Sequence, residues 1–208
     1  MQNSGYTPYV FGVKADSDFK KMGDFISYAK NNPGKLLVGS PGVGSFPHFL
    51  IEQLKIATGI DITHLPLGGG GEVLPNLLGG HIDLAAVGVS ILKPHVKAGK
   101  LRALFTTSKE RLLDLPEAQT TRELGIPEVN MLLSYCFIGP ERLPSEISSK
   151  LAQALGSILK SPDVVANLNR LGYLIEFIPL NQFRELLAKE FKSYLAIAKK
   201  AGIAKIQD

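Results

Sequence analysis

Leu36-Leu37-Val38-Gly39-Ser40-Pro41-Gly42-Val43-Gly44-Ser45-Phe46-Pro47-His48 is the stretch on which the reading of this chain turns. Leu36 to Val38 has strand character and stops at the small residues Gly39 to Ser45. An amphipathic helix is predicted over Phe46 to Thr58, with apolar residues at 46, 49, 50, 54 and 57 on one face. Ser45 suits its N-cap, Pro47 falls in the first turn where a missing N–H costs nothing, and Gly59 offers a C-terminal stop. A glycine-rich turn feeding a helix N-terminus leaves backbone N–H groups unpaired beside the positive end of the helix dipole. Such a turn suits a carboxylate or a phosphate. A tight strand-to-helix turn with no ligand fits the same residues.

The common nucleotide signatures fail. Gly39 and Gly44 have P-loop spacing, but Ser45 stands where the phosphate-gripping lysine belongs. Gly42-Val43-Gly44 begins a dinucleotide fingerprint, and Pro47 occupies its third glycine position. Val38, two residues before Ser40, rules out a nucleophile elbow.

Working outward, the strand–loop–helix pattern repeats. Ile62 to Leu67 leads into Gly68-Gly69-Gly70-Gly71 and a helix from Glu72 to Leu78. Ile82 to Val87 leads into Gly88-Val89-Ser90 and a helix from Ile91 to Ala98, and a strand follows from Leu101 to Thr107. Nearly continuous apolar strands alternating with helices predict an α/β fold with a mostly parallel sheet covered on both faces. Ligands in such sheets sit beyond the carboxyl ends of the strands, where the loops 39–45, 68–71 and 87–90 all fall. Upstream, Tyr9 to Val13 reads as a strand and Lys20 to Lys30 as a helix. Downstream, 110–127 is loop-rich and Leu132 to Ile138 is a strand. Helices follow at Ser145 to Leu159 and Pro162 to Leu171, then a strand at Tyr173 to Ile178 and a long helix at Asn181 to Ala201.

Composition narrows the function. With 208 residues, 45% hydrophobic and 20% charged, the chain has ample core and an ordinary globular balance. Its net charge of +4 is scattered in pairs such as Lys20-Lys21, so no nucleic-acid partner is indicated. The single Cys136 excludes an intrachain disulfide and a cysteine metal cluster, and its apolar run suits a small buried hydrophobe. His64, His81 and His95 lack metal-ligand spacing, so neither metal nor cofactor is expected. No stretch reaches the length of a membrane span.

Several motifs recur together: Asn32-Pro33-Gly34-Lys35 before the Gly39 to Ser45 turn and His48, then His64-Leu65-Pro66 and the glycine run. Leu77-Leu78-Gly79-Gly80-His81-Ile82-Asp83 follows, then His95-Val96-Lys97-Ala98-Gly99-Lys100-Leu101-Arg102. After these come Arg111, Leu115-Pro116, Glu123-Leu124-Gly125, Gly139-Pro140 and Leu143-Pro144. From about residue 9 onward this order and spacing resembles the TctC/Bug family, the extracytoplasmic substrate-binding proteins of tripartite tricarboxylate transporters. The resemblance implies a type II periplasmic-binding-protein-like fold, in which two α/β lobes close on a small carboxylate. That ligand would be a di- or tricarboxylate, an acidic amino acid or an aromatic acid, delivered without catalysis to a membrane permease from a periplasmic location.

By the same resemblance, 8–130 is the intact second lobe and 131–208 the C-terminal part of an incomplete first lobe. Roughly the first hundred residues of the usual mature chain, about a small domain, are lacking, so the chain reads as truncated. Weak ligand binding and self-association through the incomplete lobe are then expected. The implied ligand-binding residues are Gly39, Ser40, Gly42, Val43, Gly44, Ser45 and His48. Gly68, Gly69, Gly70, Gly88, Val89 and Ser90 complete the set, with backbone amides and the two serine hydroxyls on the carboxylate. Pro66-Leu67-Gly68-Gly69 departs from the family's Pro-Tyr-Lys-Gly.

Plainer roles compete with these. His48 is expected to make a local hydrogen bond or sit at the core edge, and Asp83 to bond a neighbouring loop. The ligand-sensing effector module of a regulator shares the fold. A serine hydrolase would need Ser40 or Ser45 beside a histidine and an acid, although a capping Ser45 is already engaged.

Overall fold

The computed structural model describes residues 2–140, 142–176, 178 and 180–203. The strands are β1 (Gln2–Thr7), β2 (Tyr9–Lys14), β3 (Leu37–Ser40), β4 (Thr63–Pro66), β5 (Leu84–Gly88), β6 (Leu101–Thr106), β7 (Gln119–Thr120) and β8 (Leu133–Phe137). The helices are α1 (Met22–Asn31), α2 (Phe46–Thr58), α3 (Gly70–Gly79), α4 (Val89–Lys97), α5 (Ser145–Ile158), α6 (Pro162–Arg170) and α7 (Leu180–Ala201). Among the described residues no helix is long and apolar enough to cross a membrane.

Six strands form one sheet in the order β4-β3-β5-β2-β6-β7. The neighbours β4–β3, β3–β5 and β6–β7 are parallel, whereas β2 runs against both β5 and β6. The sheet is mostly parallel as expected, with β2 alone reversed among its six strands. Helix alternation implies parallel neighbours only where a crossover helix joins them. β2 instead enters straight from β1 across Pro8 and slots between strands that arrive from the other side. The carboxyl ends of β3, β4, β5 and β6 and the amino end of β2 consequently share one rim.

Burial alternates along the strands. In β5, Leu84 and Ala86 join one core while Ala85 and Val87 join the other. The first core takes Phe25 and Met22 of α1 and Leu50, Ile51 and Leu54 of α2. The second takes Val73 and Leu77 of α3 and Leu92 of α4. Phe11 and Phe105 stack at 4.3 Å, tying β2 to β6. Asp83 accepts from Leu37 N at 2.8 Å, a structural bond as expected but to strand β3 rather than to a loop.

β1 pairs with β8 in a separate two-stranded sheet. Among the described residues the strand expected at Tyr173 to Ile178 is reduced to one bridge, Leu174 to Tyr6. β1 is bulged between Asn3 and Gly5 against β8; Phe177 lies outside the described residues. No residue of α5 or α6 is buried, and Ile147, Leu151 and Ile158 present an apolar face to solvent. α7 is better anchored, with Phe183, Ile197 and Ala198 buried and Tyr194 edge-on to Phe49 of α2 at 5.0 Å. Cys136 is half-buried in β8.

This division of core predicts unequal costs of truncation. Leu50→Ala, at a fully buried position, is expected to lose about 2–5 kcal/mol in urea denaturation. Leu151→Ser, at a position 51% exposed, should change stability by no more than about 0.5 kcal/mol. Comparable losses from the two would show that α5 carries a core of its own.

Candidate functional site

The turn between β3 and α2 is built as its residues dictate. Ser45 is the N-cap and its Oγ accepts from His48 N at 3.4 Å. Gly59 closes the helix in the left-handed region, φ 68°, and donates to Lys55 O at 2.8 Å. α2 spans the residues that the local signals delimit.

Most polar groups of the turn are consumed within it. Gly42 O accepts from Ser45 Oγ at 2.7 Å, from Ser40 Oγ at 3.0 Å and from Ser45 N at 3.3 Å. Gly42 N donates to Ser40 Oγ at 3.2 Å, and Gly44 N donates to His48 Nδ1 at 3.0 Å. Among the described residues this leaves the N–H groups of Val43 and Phe46 without a partner. Val43 is 65% exposed, and Phe46 opens the helix, where the dipole adds positive potential. Ser40 has no exposed surface, so its hydroxyl shapes the turn from beneath. Gly39 lies in β3 between Leu65 and Ala85. A methyl there would come within 2.5 Å of Ile82 Cδ1, so close packing accounts for this glycine.

The other rim loops are placed as follows. Leu67 N donates to Ser40 O at 2.9 Å, lashing the second loop to the first. Gly68 N donates to Glu72 Oε2 at 3.0 Å, and Glu72 N to Gly69 O at 3.2 Å. A carboxylate from the chain itself thus sits at the N-terminus of α3, beside Gly69 and Gly70. Gly88 pairs with Tyr9 and caps α4. Val89 is buried in the second core, and Ser90 is exposed where Gly172 approaches.

Residues that the sequence did not single out complete the rim. Reversal of β2 brings Tyr9 to it, with the ring 4.9 Å from that of Phe46. The end of β6 adds hydroxyls: Thr107 Oγ1 accepts from Tyr9 N at 3.0 Å, Thr106 Oγ1 donates to Tyr9 O at 3.1 Å, and Ser108 Oγ lies 3.1 Å from Thr106 Oγ1. Where the two sheets meet, Tyr135 and Tyr173 lie 4.8 Å apart. Burial, then the Tyr173 hydroxyl, pushes the Tyr135 phenol up to about 12.

Under the turn, the rings of His48 and His64 stack at 3.8 Å and 13°. His64 Nε2 is 2.6 Å from Ser40 Oγ. Burial lowers the His48 pKa; Glu52 opposes the shift and Lys55 adds to it. Burial, then His48 and Lys55, brings His64 down to about 4. Both shifts favour the neutral ring near pH 7. β4 lies beside β3, and this contact follows from strand order, which no local spacing reveals. Among the described residues no three histidine, cysteine or acidic side chains cluster as metal ligands. A cavity of about 620 Å³ lies at the opposite end of the sheet. Its Arg102 is spent on the carbonyls of Ala15, Ser17 and Phe19, and its Arg111 on Glu123.

Comparison with known proteins places this geometry. The chain is 34% identical over 201 residues to the UPF0065 protein in the gbd 5'region of Cupriavidus necator, spanning 96% of itself and 61% of that protein. It is 25% identical to BugT of Bordetella pertussis over 95% of itself and 61% of that protein. An R. palustris protein solved with adipate superposes with a TM-score of 0.86 at 27% identity, over 98% of this chain and 68% of that one. MatC of Rhodopseudomonas palustris, solved with malate, superposes at 0.79 and 24% identity over 94% of this chain and 68% of that one, a likeness of fold. The chain thus spans about three-fifths of the length of these sequence relatives. The model of the tripartite tricarboxylate transporter family receptors, TctC, matches residues 2–203, and the chain belongs to that family.

Proposed function

We propose that this chain supplies one wall of a periplasmic receptor for a small carboxylate, which it captures without chemical conversion and passes to a tripartite transporter permease. The carrying observation is the pair of unpartnered N–H groups, Val43 and Phe46, at the rim end of α2. A carboxylate has two oxygens to set against two such donors, and the helix dipole favours its charge. The adipate held by the R. palustris relative supports a carboxylate as ligand. Residues 8–130 form the intact second lobe, and 131–208 the C-terminal part of the incomplete first lobe. The bare faces of α5 and α6 support that division. They also favour self-association of the isolated chain.

Ser40 and His64, at 2.6 Å, have the spacing of a nucleophile and its base. A nucleophile must meet its substrate, and Ser40 lies wholly beneath the turn. The contact therefore supports a scaffold role.

Amide NMR tests the site. Adipate, citrate, glutamate and benzoate are titrated into the labelled chain, with dimethyl adipate as the uncharged control. At least one acid is expected to move the Val43 and Phe46 resonances while the diester leaves them in place. Silence at both amides across the whole panel overturns the assignment.

Affinity tests the half-clamp. With one wall present, calorimetry is expected to give binding near millimolar, about −4 kcal/mol. Micromolar affinity, about −8 kcal/mol, from the 208-residue chain alone would refute it.

A further inference from the structure

We propose that His48 is a proton-controlled latch on the rim turn, holding the Gly44 N–H only while its ring is neutral, and that His64 is the positioning residue that keeps it so. The affinity consequence rests on the carboxylate reading above; the latch itself does not.

The contact is specific about protonation. Gly44 N donates to His48 Nδ1 at 3.0 Å, so Nδ1 must offer a lone pair and the ring proton sits on Nε2. A ring protonated on both nitrogens has only donors, and a second N–H would then face that of Gly44. The turn has few substitutes for this bond. Gly44 sits in the left-handed region, φ 76°, and the two N–H groups left for a ligand flank it at 43 and 46. Losing the latch frees the segment that aims them.

The surroundings set when this happens. Glu52 Oε1 lies 3.9 Å from His48 Nε2 and is ready to receive a charged ring, and Lys55 holds the same oxygen at 2.9 Å. β4 contributes the stacked His64, and β3 and the turn contribute only the hydroxyls of Ser40 and Ser45. α7 meets α2 through Tyr194 on Phe49, and the charges felt by His48 are those of Glu52 and Lys55. The His48 side chain is only 8% exposed. Burial holds His48 below the ordinary value of 6.5, so the latch is closed at neutral pH and opens on acidification. Each pH unit below the pKa of His48 then costs about tenfold in the closed population.

The experiment follows the ring signals of His48 and His64 and the hydrogen-exchange protection of the Gly44 amide from about pH 7.5 to about pH 4.5. The comparison set is the wild-type chain, His48→Asn and His64→Asn. Asn Oδ1 can stand where Nδ1 stands and does not titrate. In the wild type, Gly44 protection is expected to fall about tenfold per unit, in step with the His48 titration. In His48→Asn it should stay flat. In His64→Asn, loss of the covering ring should move the His48 midpoint to higher pH, and Gly44 protection should move with it.

Protection that ignores the His48 titration, or that falls alike in His48→Asn, overturns the latch. Should His48→Asn fail to fold, the joint shift in His64→Asn decides, and its absence is equally fatal. Adipate is the affinity probe, measured as the ratio of wild type to His48→Asn so that protonation of adipate cancels. The ratio is expected to fall with pH; a ratio that rises shows the charged ring assisting the anion and overturns the latch. Tracking protection with no binding of adipate at any pH leaves the latch standing and removes adipate from the proposed ligands.

Discussion

The turn after β3 must satisfy more hydrogen-bond groups than a helix start can satisfy alone, and most of the site follows from how it does so. Gly42 O gathers three donors, from Ser45 Oγ, Ser40 Oγ and Ser45 N. Gly44 turns to a histidine for an acceptor. What is left over, at Val43 and Phe46, is a ligand-sized remainder. An anion site of this kind needs no cationic side chain. Two amides, fixed in direction by their neighbours' bonds and backed by the α2 dipole, supply the potential.

The same accounting separates the three glycine-rich loops, which look alike as sequence. Glu72 already holds Gly68 N at the start of α3, so a ligand anion there would meet a carboxylate. At α4, Val89 is a core residue and Gly172 backs onto Ser90. The loops share a rim because their strands are parallel, but the first keeps two donors free while the second already holds a carboxylate at its helix start. Glycine content shows where the backbone can come close; it does not show which amides are spoken for.

What could be read from sequence was local. Ser45 and Gly59 delimit α2 because capping is decided within a few residues. Most apolar runs became strands, the exception being 173–178, and the family's motifs carried the fold class. Partnership across the sheet could not be read. Tyr9 and the Thr106 to Ser108 hydroxyls reach the rim because β2 is reversed, and reversal follows from where β1 enters. Gly39 looked like part of a ligand loop until its neighbour Ile82 was in place. His64 stacks on His48 only because β4 lies beside β3.

The two halves of the chain differ in what supports them, and this bears on the site. The rim turn rests on a sheet with core on both faces, so its geometry is held from below by Leu50, Ile51 and Leu54. α5 and α6 bury no residue, yet α7 returns to lay Tyr194 against Phe49, one residue beyond His48. The less supported half is thus fastened to the helix that carries the rim turn. Relative motion of the halves would be felt first along α2, the element whose N-terminus carries the proposed anion site. The clamp proposed above needs that coupling, because closure would have to change what the rim presents to the ligand.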